Sequence, residues 1–384
     1  MKICILSDKF PPDPGGLAIS AQRLARGLVG AGHGATVVVP DVALLPGQVT
    51  QIVTDDGVVV YRLGVHKRAD DTRVDWFELV VRLHREVGFD VLHGYYLLGA
   101  GMVTVYAARY LGVPSVVSAR GNDLERSVFD PAQTGGIVWA LERAGAVTAV
   151  SHDLAQKAKA LADCTPIVIH NGVDATHFTP APPDETLRAQ LGLKPDTPVL
   201  GFVGEARLKK GLTILLPAFA QVAAQAEAAG RPIPALLLVG GVRKDNKDIV
   251  RVFKAQNPTL KVRVIDNVPH AELPKYYNLF DMNLLPSLRD GLPNSLLEGL
   301  ACGCATIATR VGGIVDVLKQ GQNGWLIEPI DVEGLVEVVM YFLPERGEKE
   351  RVGGNGRQTI LAQFTLEREL TANLALYQQF LATK

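Results

Sequence analysis

The residues best suited to chemistry lie in one run, Pro286-Ser-Leu-Arg-Asp-Gly-Leu-Pro-Asn-Ser-Leu-Leu-Glu-Gly-Leu-Ala-Cys-Gly-Cys-Ala-Thr-Ile307. Two carboxylates, Asp290 and Glu298, stand eight residues apart, with Gly291, Leu292, Pro293, Asn294 and Ser295 between them. An apolar helix is expected to begin near Pro293, because proline suits a first helical turn. The free backbone N–H groups of that turn favour an anion. Glu298 lies one turn beyond Asn294, so the two side chains share a face. A phosphate at the helix start, with an acid on either side to accept hydrogen bonds from sugar hydroxyls, describes a site for a nucleotide sugar. Taken alone, the run also fits an ordinary helix N-terminus with an acid nearby.

Three further stretches carry polar groups to the ends of expected strands. Phe202-Val-Gly-Glu-Ala-Arg-Leu-Lys-Lys-Gly211 holds Gly204, Glu205 and three basic residues in four positions, including Arg207 and Lys210. A departing diphosphate needs its growing charge neutralised, which positioned Arg and Lys do best. Pro11-Pro-Asp-Pro-Gly-Gly16 is a proline-stiffened turn whose Gly15 and Gly16 let backbone approach a ligand, although an ordinary βα loop reads the same way. Ser118-Ala-Arg-Gly-Asn-Asp123 offers Arg120, Asn122 and Asp123; Arg120 can donate to a hydroxyl or a phosphate but cannot serve as a base. His93, in Leu92-His-Gly-Tyr-Tyr96, also ends a strand and either faces a cleft or is structural. The Asn171-Gly-Val-Asp174 stretch reads as a turn with a capping acid. No Asp-x-Asp pair is placed to hold a divalent cation, so neither metal nor cofactor is expected. The glycine fingerprint of a nicotinamide site is missing as well.

These motifs, in this order, resemble the retaining glycosyltransferases of family 4. The run at 290–298 is similar to the family's E-x7-E signature, with Asp290 in place of the first Glu. The loop at 11–16 resembles the P-P-x-x-G-G loop, and 204–211 resembles G-R-x-x-x-x-K-G with Lys210 on the lysine, Glu205 on the arginine and Arg207 two residues later. The 120–123 stretch resembles H-G-x-D, with Arg120 for the His. Val311-Gly-Gly-Ile314 with Asp316, and Gly321-Gln-Asn-Gly-Trp-Leu326, match stretches beside the second acid. The resemblance implies that Asp290 contacts the donor sugar, that Glu298 takes the ribose hydroxyls, and that Gly16 rather than Gly15 lies against the diphosphate. Lys210, with Arg207 taking over from the missing arginine, neutralises it. The donor would be a UDP- or GDP-linked hexose, and the acceptor a carbohydrate or glycolipid hydroxyl approached from the side of His93, Arg120, Asn122 and Asp123. Retention and metal independence are implied in the same way.

A chain of 384 residues is long enough for two domains, and 47% hydrophobic with 21% charged residues is the composition of a soluble globular protein. A net charge of −1 without a basic block of five does not suggest nucleic acid as a partner. Cysteines 4, 164, 302 and 304 read as small buried residues of a reducing compartment rather than zinc ligands. Asp8 interrupts the first apolar run too early for a signal peptide, and no apolar stretch reaches 18 residues. A cytoplasmic protein is expected, with contact at the inner face of a membrane left open.

Strand-like runs alternate with helical patterns, which argues for an α/β fold of parallel sheets covered by helices. The expected strands are Lys2–Ser7, Ala35–Pro40, Val58–Leu63, Val91–His93, Ser115–Ser118, Val147–Val150 and Ile167–Ile169, then Val199–Val203, Ala235–Val239, Val262–Val264, Met282–Leu285, Ala305–Ala308 and Gly324–Ile327. Between the two sets, five prolines surround one short helical piece, a linker signature over 179–198. This gives domains at 1–178 and 199–365. The resemblance implies two Rossmann-like domains facing across a cleft (GT-B), the first on the acceptor side, the second binding the nucleotide sugar, and helix 366–384 crossing back to the first. A nucleotide-sugar epimerase and a non-catalytic nucleotide-sugar-binding protein are the competing readings.

Overall fold

The computed structural model describes residues 1–266 and 268–382. Its first strand, β1 (Lys2–Ser7), shows how the chain builds its layers. Successive side chains point to opposite faces, so Ile3 and Ile5 enter one core while Cys4 and Leu6 enter another. Both faces are covered, which is why the strand is a continuous apolar run rather than an alternating one. On the Ile3 face lie helix Gly16–Gly30 and the C-terminal helix Leu366–Ala382, through Leu24, Leu28, Leu376 and Tyr377. On the other lie helices Ala69–Val87 and Gly99–Leu111, through Trp76, Leu79, Leu83, Val103 and Ala107.

The remaining strands of the first unit are β2 (Gly34–Asp41), β3 (Val49–Val53), β4 (Val59–Gly64), β5 (Val91–Tyr95), β6 (Ser115–Ala119), β7 (Ala146–Ala149) and β8 (Ile167–Val168). They form one sheet in the order β3-β4-β2-β1-β5-β6-β7-β8, parallel except for the β3–β4 pair. Strand β1 sits between β2 and β5, with Ile3 level with Ala35 and Val91. The second unit holds β9 (Val199–Val203), β10 (Ala235–Val239), β11 (Val262–Ile265), β12 (Met282–Leu285), β13 (Thr306–Thr309) and β14 (Trp325–Ile327), ordered β11-β10-β9-β12-β13-β14 and wholly parallel. Leu200, Phe202, Leu236, Leu238, Met282 and Ile307 of this sheet pack on Leu215, Phe219 and Val222 of helix Leu212–Ala228. These are two Rossmann-like units.

The first unit comprises Met1–Gly172 with Leu366–Lys384, the second Val173–Thr365. The division therefore falls at Gly172 rather than 178, and the expected linker is part of the second unit. Val173 donates its N–H to the Phe364 carbonyl, and the Ala181 N–H donates to the Asn278 side chain. Arg188 is buried and donates to the carbonyls of Lys194 and Thr197, so the proline-rich stretch is folded down rather than free. The C-terminal helix belongs to the first unit, where Glu369 pairs with Arg23 at 2.5 Å and accepts the Gly172 N–H at 2.9 Å. Among the described residues no helix is long and apolar enough to cross a membrane.

Candidate functional site

In the second unit the chain runs from β9 through β10 to β11 on one side, and places β12 on the other side of β9. Open α/β sheets bind ligands at such a reversal, outside the carboxyl ends of the strands. The loops leaving β9 and β12 are the two basic and acidic stretches singled out above. A 3₁₀ turn at Leu208–Lys210 ends in Gly211, whose φ of +77° favours glycine. A Cβ there would lie 1.8 Å from the Pro286 carbonyl oxygen, so the two loops touch backbone to backbone. The Leu288 N–H donates to the Lys209 carbonyl across the same seam.

This contact brings Lys210 and Asp290 together in an ion pair at 2.5 Å, with Ser287 Oγ at 3.4 Å from the same carboxylate oxygen. The backbone of Asp290 is fixed from behind by the Val311-Gly-Gly loop. Gly312, at φ +48°, leaves no room for a Cβ, which would fall 1.7 Å from the Asp290 carbonyl oxygen. Gly313 donates its N–H to the carbonyls of Asp290 and Gly291. Glu205 pairs with Arg207 at 3.4 Å, so the residue on the family's arginine position holds the arginine that follows it. The Arg207 Nε is buried without a hydrogen-bond partner among the described residues. Gly204, at φ +127°, has open space where a Cβ would stand.

Helix Asn294–Ala301 begins one residue later than expected, with Pro293 as its N-cap and Gly291, Leu292 and Pro293 buried beneath it. Asn294 and Ser295 form its half-buried first turn. Glu298 is buried on this helix, and both its oxygens are engaged: Oε1 with His270 Nε2 and Oε2 with the Tyr277 hydroxyl, each at 2.9 Å. Burial and the neighbouring Glu298 push the Tyr277 hydroxyl well above its ordinary pKa, so it stays protonated and donates. His270 and Tyr277 were not singled out in the sequence, where they stand 28 and 21 residues before their partner. The signal present was a histidine just beyond an expected strand.

The first unit has its own reversal between β1 and β5. The Pro11–Gly16 loop leaves β1 there, tied down by Arg62 of β4, which donates to the Phe10 and Pro11 carbonyls. Gly15, at φ +117°, caps helix Gly16–Gly30. Asp8 follows β1 directly and accepts the Ala100 N–H at the start of helix Gly99–Leu111. Its carboxyl is raised to about 6, chiefly by burial, with Asp123 adding to the effect and the Ala100 N–H and Arg73 opposing it. Arg120 is half-buried, stacked over the Tyr95 ring at 4.4 Å and bonded to the Asn171 side chain at 2.7 Å.

Two residues expected on the sugar side are buried within the first unit. His93 is fully buried: Nδ1 meets the Tyr377 hydroxyl at 2.6 Å and Nε2 meets Ser118 Oγ at 2.7 Å. Burial, reinforced by Arg120, depresses its pKa to about 3, so the ring is neutral and interior. Asp123 is likewise buried and accepts backbone N–H bonds from Arg120, Gly121 and Leu124. It shapes the turn that carries Arg120 and the half-buried Asn122. Of the cysteines, Cys4, Cys302 and Cys304 are buried and Cys164 is half-buried, and burial pushes the Cys302 thiol up to about 12.

Comparison with known proteins gives the same two halves. A family model described as "Glycosyl transferases group 1" matches residues 183–359, and one described as "Glycosyltransferase Family 4" matches residues 14–177. N-acetyl-alpha-D-glucosaminyl L-malate synthase of Bacillus anthracis is 25% identical over 297 residues, covering 76% of this chain and 75% of that protein. Among solved structures, sucrose-phosphate synthase (tll1590) from Thermosynechococcus elongatus superposes with a TM-score of 0.83 at 21% identity, over 100% of both chains. Anabaena Alr3699/HepE, solved in complex with UDP-glucose, gives 0.80 at 17% identity, again over 100% of both. At these identities the two structures speak to the fold alone.

Proposed function

The chain belongs to the group 1 glycosyltransferases, and from that premise we propose that it moves a hexose from a UDP- or GDP-linked donor to a hydroxyl of a carbohydrate or glycolipid acceptor, with retention and without a metal. The observation that carries this reading is the meeting of Lys210 and Asp290 at the strand reversal of the second unit, with Glu298 one helix turn past Asn294.

On this reading Glu298 accepts hydrogen bonds from the ribose hydroxyls and Asp290 from the donor sugar. Lys210 and Arg207 take the diphosphate, aided by the N–H groups that open helix Asn294–Ala301. Lys210 then exchanges its bond to Asp290 for one to phosphate, which frees the carboxylate for the sugar as the charge on the leaving group grows. The acceptor hydroxyl attacks from the face the diphosphate leaves, and a phosphate oxygen takes its proton. A role in glycan or cell-envelope synthesis belongs to the same proposal.

The test is melting of the purified chain with UDP, GDP, ADP and NAD in chelator. A ligand at a hundred times its dissociation constant adds about 2.7 kcal/mol. A rise with UDP or GDP is expected, and a rise with NAD alone would overturn the reading. Glu298→Ala and Lys210→Ala should each lose transfer by about a hundredfold or more while remaining folded. Wild-type turnover by both would remove the site assignment. Donor turnover abolished by chelator and restored by Mg²⁺ would remove metal independence, and an absence of both transfer and donor hydrolysis would favour a binding protein.

A further inference from the structure

Glu298 offers its carboxylate to a ligand only from a fixed pose, and three residues outside its helix create that pose. Tyr277 donates its single hydroxyl hydrogen to Oε2 and shares it with the Ser295 carbonyl at 3.2 Å, so the hydroxyl lies against the first turn of the same helix. His270 holds Oε1 from the 3₁₀ turn His270–Glu272 beyond β11. Phe178 packs edge-on against both rings, with centroids 5.2 Å from His270 and 6.0 Å from Tyr277, which limits how either can turn. Glu298 and Tyr277 are buried, whereas the His270 side chain is 40% exposed. His270 is therefore the solvent-side member of the trio, and each carboxylate oxygen keeps lone-pair capacity beyond the bond it already accepts.

We propose that His270 is a positioning residue that aims the Glu298 carboxylate at the ribose hydroxyls and so sets the preference of the site for ribonucleotides. The inference rests on the assignment of Glu298 made above. A site built to accept hydrogen bonds from a hydroxyl rejects the analogue lacking it, because its acceptor is left unpaired. That discrimination depends on the acceptor staying put. Without the His270 N–H, Oε1 loses its partner and Glu298 turns toward another donor, which weakens the ribose contact and leaves the diphosphate contacts of Lys210 untouched.

The experiment compares affinities for UDP and dUDP, with GDP and dGDP in parallel, in the full chain and two variants. His270→Phe keeps the ring against Phe178 and cannot donate; His270→Gln keeps a donor. His270→Phe should lose about tenfold in affinity for the ribonucleotide and little for the deoxynucleotide, so that the ratio collapses. His270→Gln should retain most of it. In transfer assays the loss should appear in the donor KM rather than in kcat, as expected for a ground-state contact. A wild-type ratio in His270→Phe would overturn the inference, as would equal losses in Phe and Gln. Wild-type protein that binds neither UDP nor GDP, or Glu298→Gln that retains the full ratio, would instead overturn the underlying assignment of Glu298.

Discussion

At the scale of single residues, the site depends on atoms that are absent as much as on those present. Gly312 leaves its Cβ position to the Asp290 carbonyl oxygen at a positive φ, so Gly312→Ala must displace the carboxylate's own backbone and strain its own. We expect a stability loss of about 2–3 kcal/mol. Because the displaced residue carries Asp290, transfer should fall by about a hundredfold in protein that is still folded. Chemical denaturation and steady-state kinetics on the same preparation would decide, and full activity would mean that the position of Asp290 is not critical. Glu298 was legible because it shares one short helix with Asn294, where sequence distance converts directly into geometry, whereas Asp290 lies in the loop before that helix and is fixed by Lys210 and the Val311-Gly-Gly loop. His270 was not, since a loop and a strand separate it from Glu298 and only the folded sheet closes that gap. The burial of His93 and Asp123 was not legible for a related reason. A strand-end position fixes neither which way a side chain points nor what covers it, and here Tyr377 from the far end of the chain covers His93.

At the scale of elements, two βα loops are locked by one glycine. Gly211 permits the backbone of the β9 loop to lie on Pro286 of the β12 loop, and that approach delivers Lys210 to Asp290. Gly211→Ala should therefore part the two loops, lower the melting temperature by several degrees and weaken nucleoside diphosphate binding by about tenfold. Calorimetric titration would check it; unchanged binding would show that Lys210 reaches the diphosphate without this seam. The buried parallel strands were found almost residue for residue, because a strand covered on both faces is an uninterrupted apolar run between turn signals. Strand β3 was overlooked for the opposite reason. Val49–Val53 is an edge strand, mostly exposed, and Thr50 and Gln51 interrupt its apolar run. The proline-rich stretch reads as a linker from its composition, but Arg188 supplies buried hydrogen bonds to the Lys194 and Thr197 carbonyls that composition alone does not reveal.

At the scale of the whole molecule, the first unit is closed by a helix from the other end of the chain, and one hydrogen-bonded chain records that closure. Tyr377, His93, Ser118 and Thr148 run in sequence from the C-terminal helix across β5, β6 and β7. The neutral imidazole at its centre makes stability depend on pH. His93 titrates near 3 in the folded chain and near 6.5 when unfolded. Between those values the unfolded state binds a proton the folded state refuses, so the contribution is constant above 6.5 and falls as pH drops, by about 1.4 kcal/mol per unit. Asp8 works in reverse. Its folded value near 6 lies above the ordinary 3.8, so the folded state is the better proton binder between them and gains as pH falls. The two effects oppose each other below pH 6, and the wild-type profile should be flatter than either alone. His93→Gln keeps a donor and an acceptor for Tyr377 and Ser118 but cannot titrate. Its deficit relative to wild type should therefore shrink by about 2 kcal/mol between pH 6.5 and pH 5, measured by denaturation at each pH. Asp8→Asn should show the opposite, an acid loss steeper than that of wild type. A deficit of His93→Gln that stays constant across this window would mean that the imidazole is protonated in place, and that the chain linking the C-terminal helix to the sheet carries a charge.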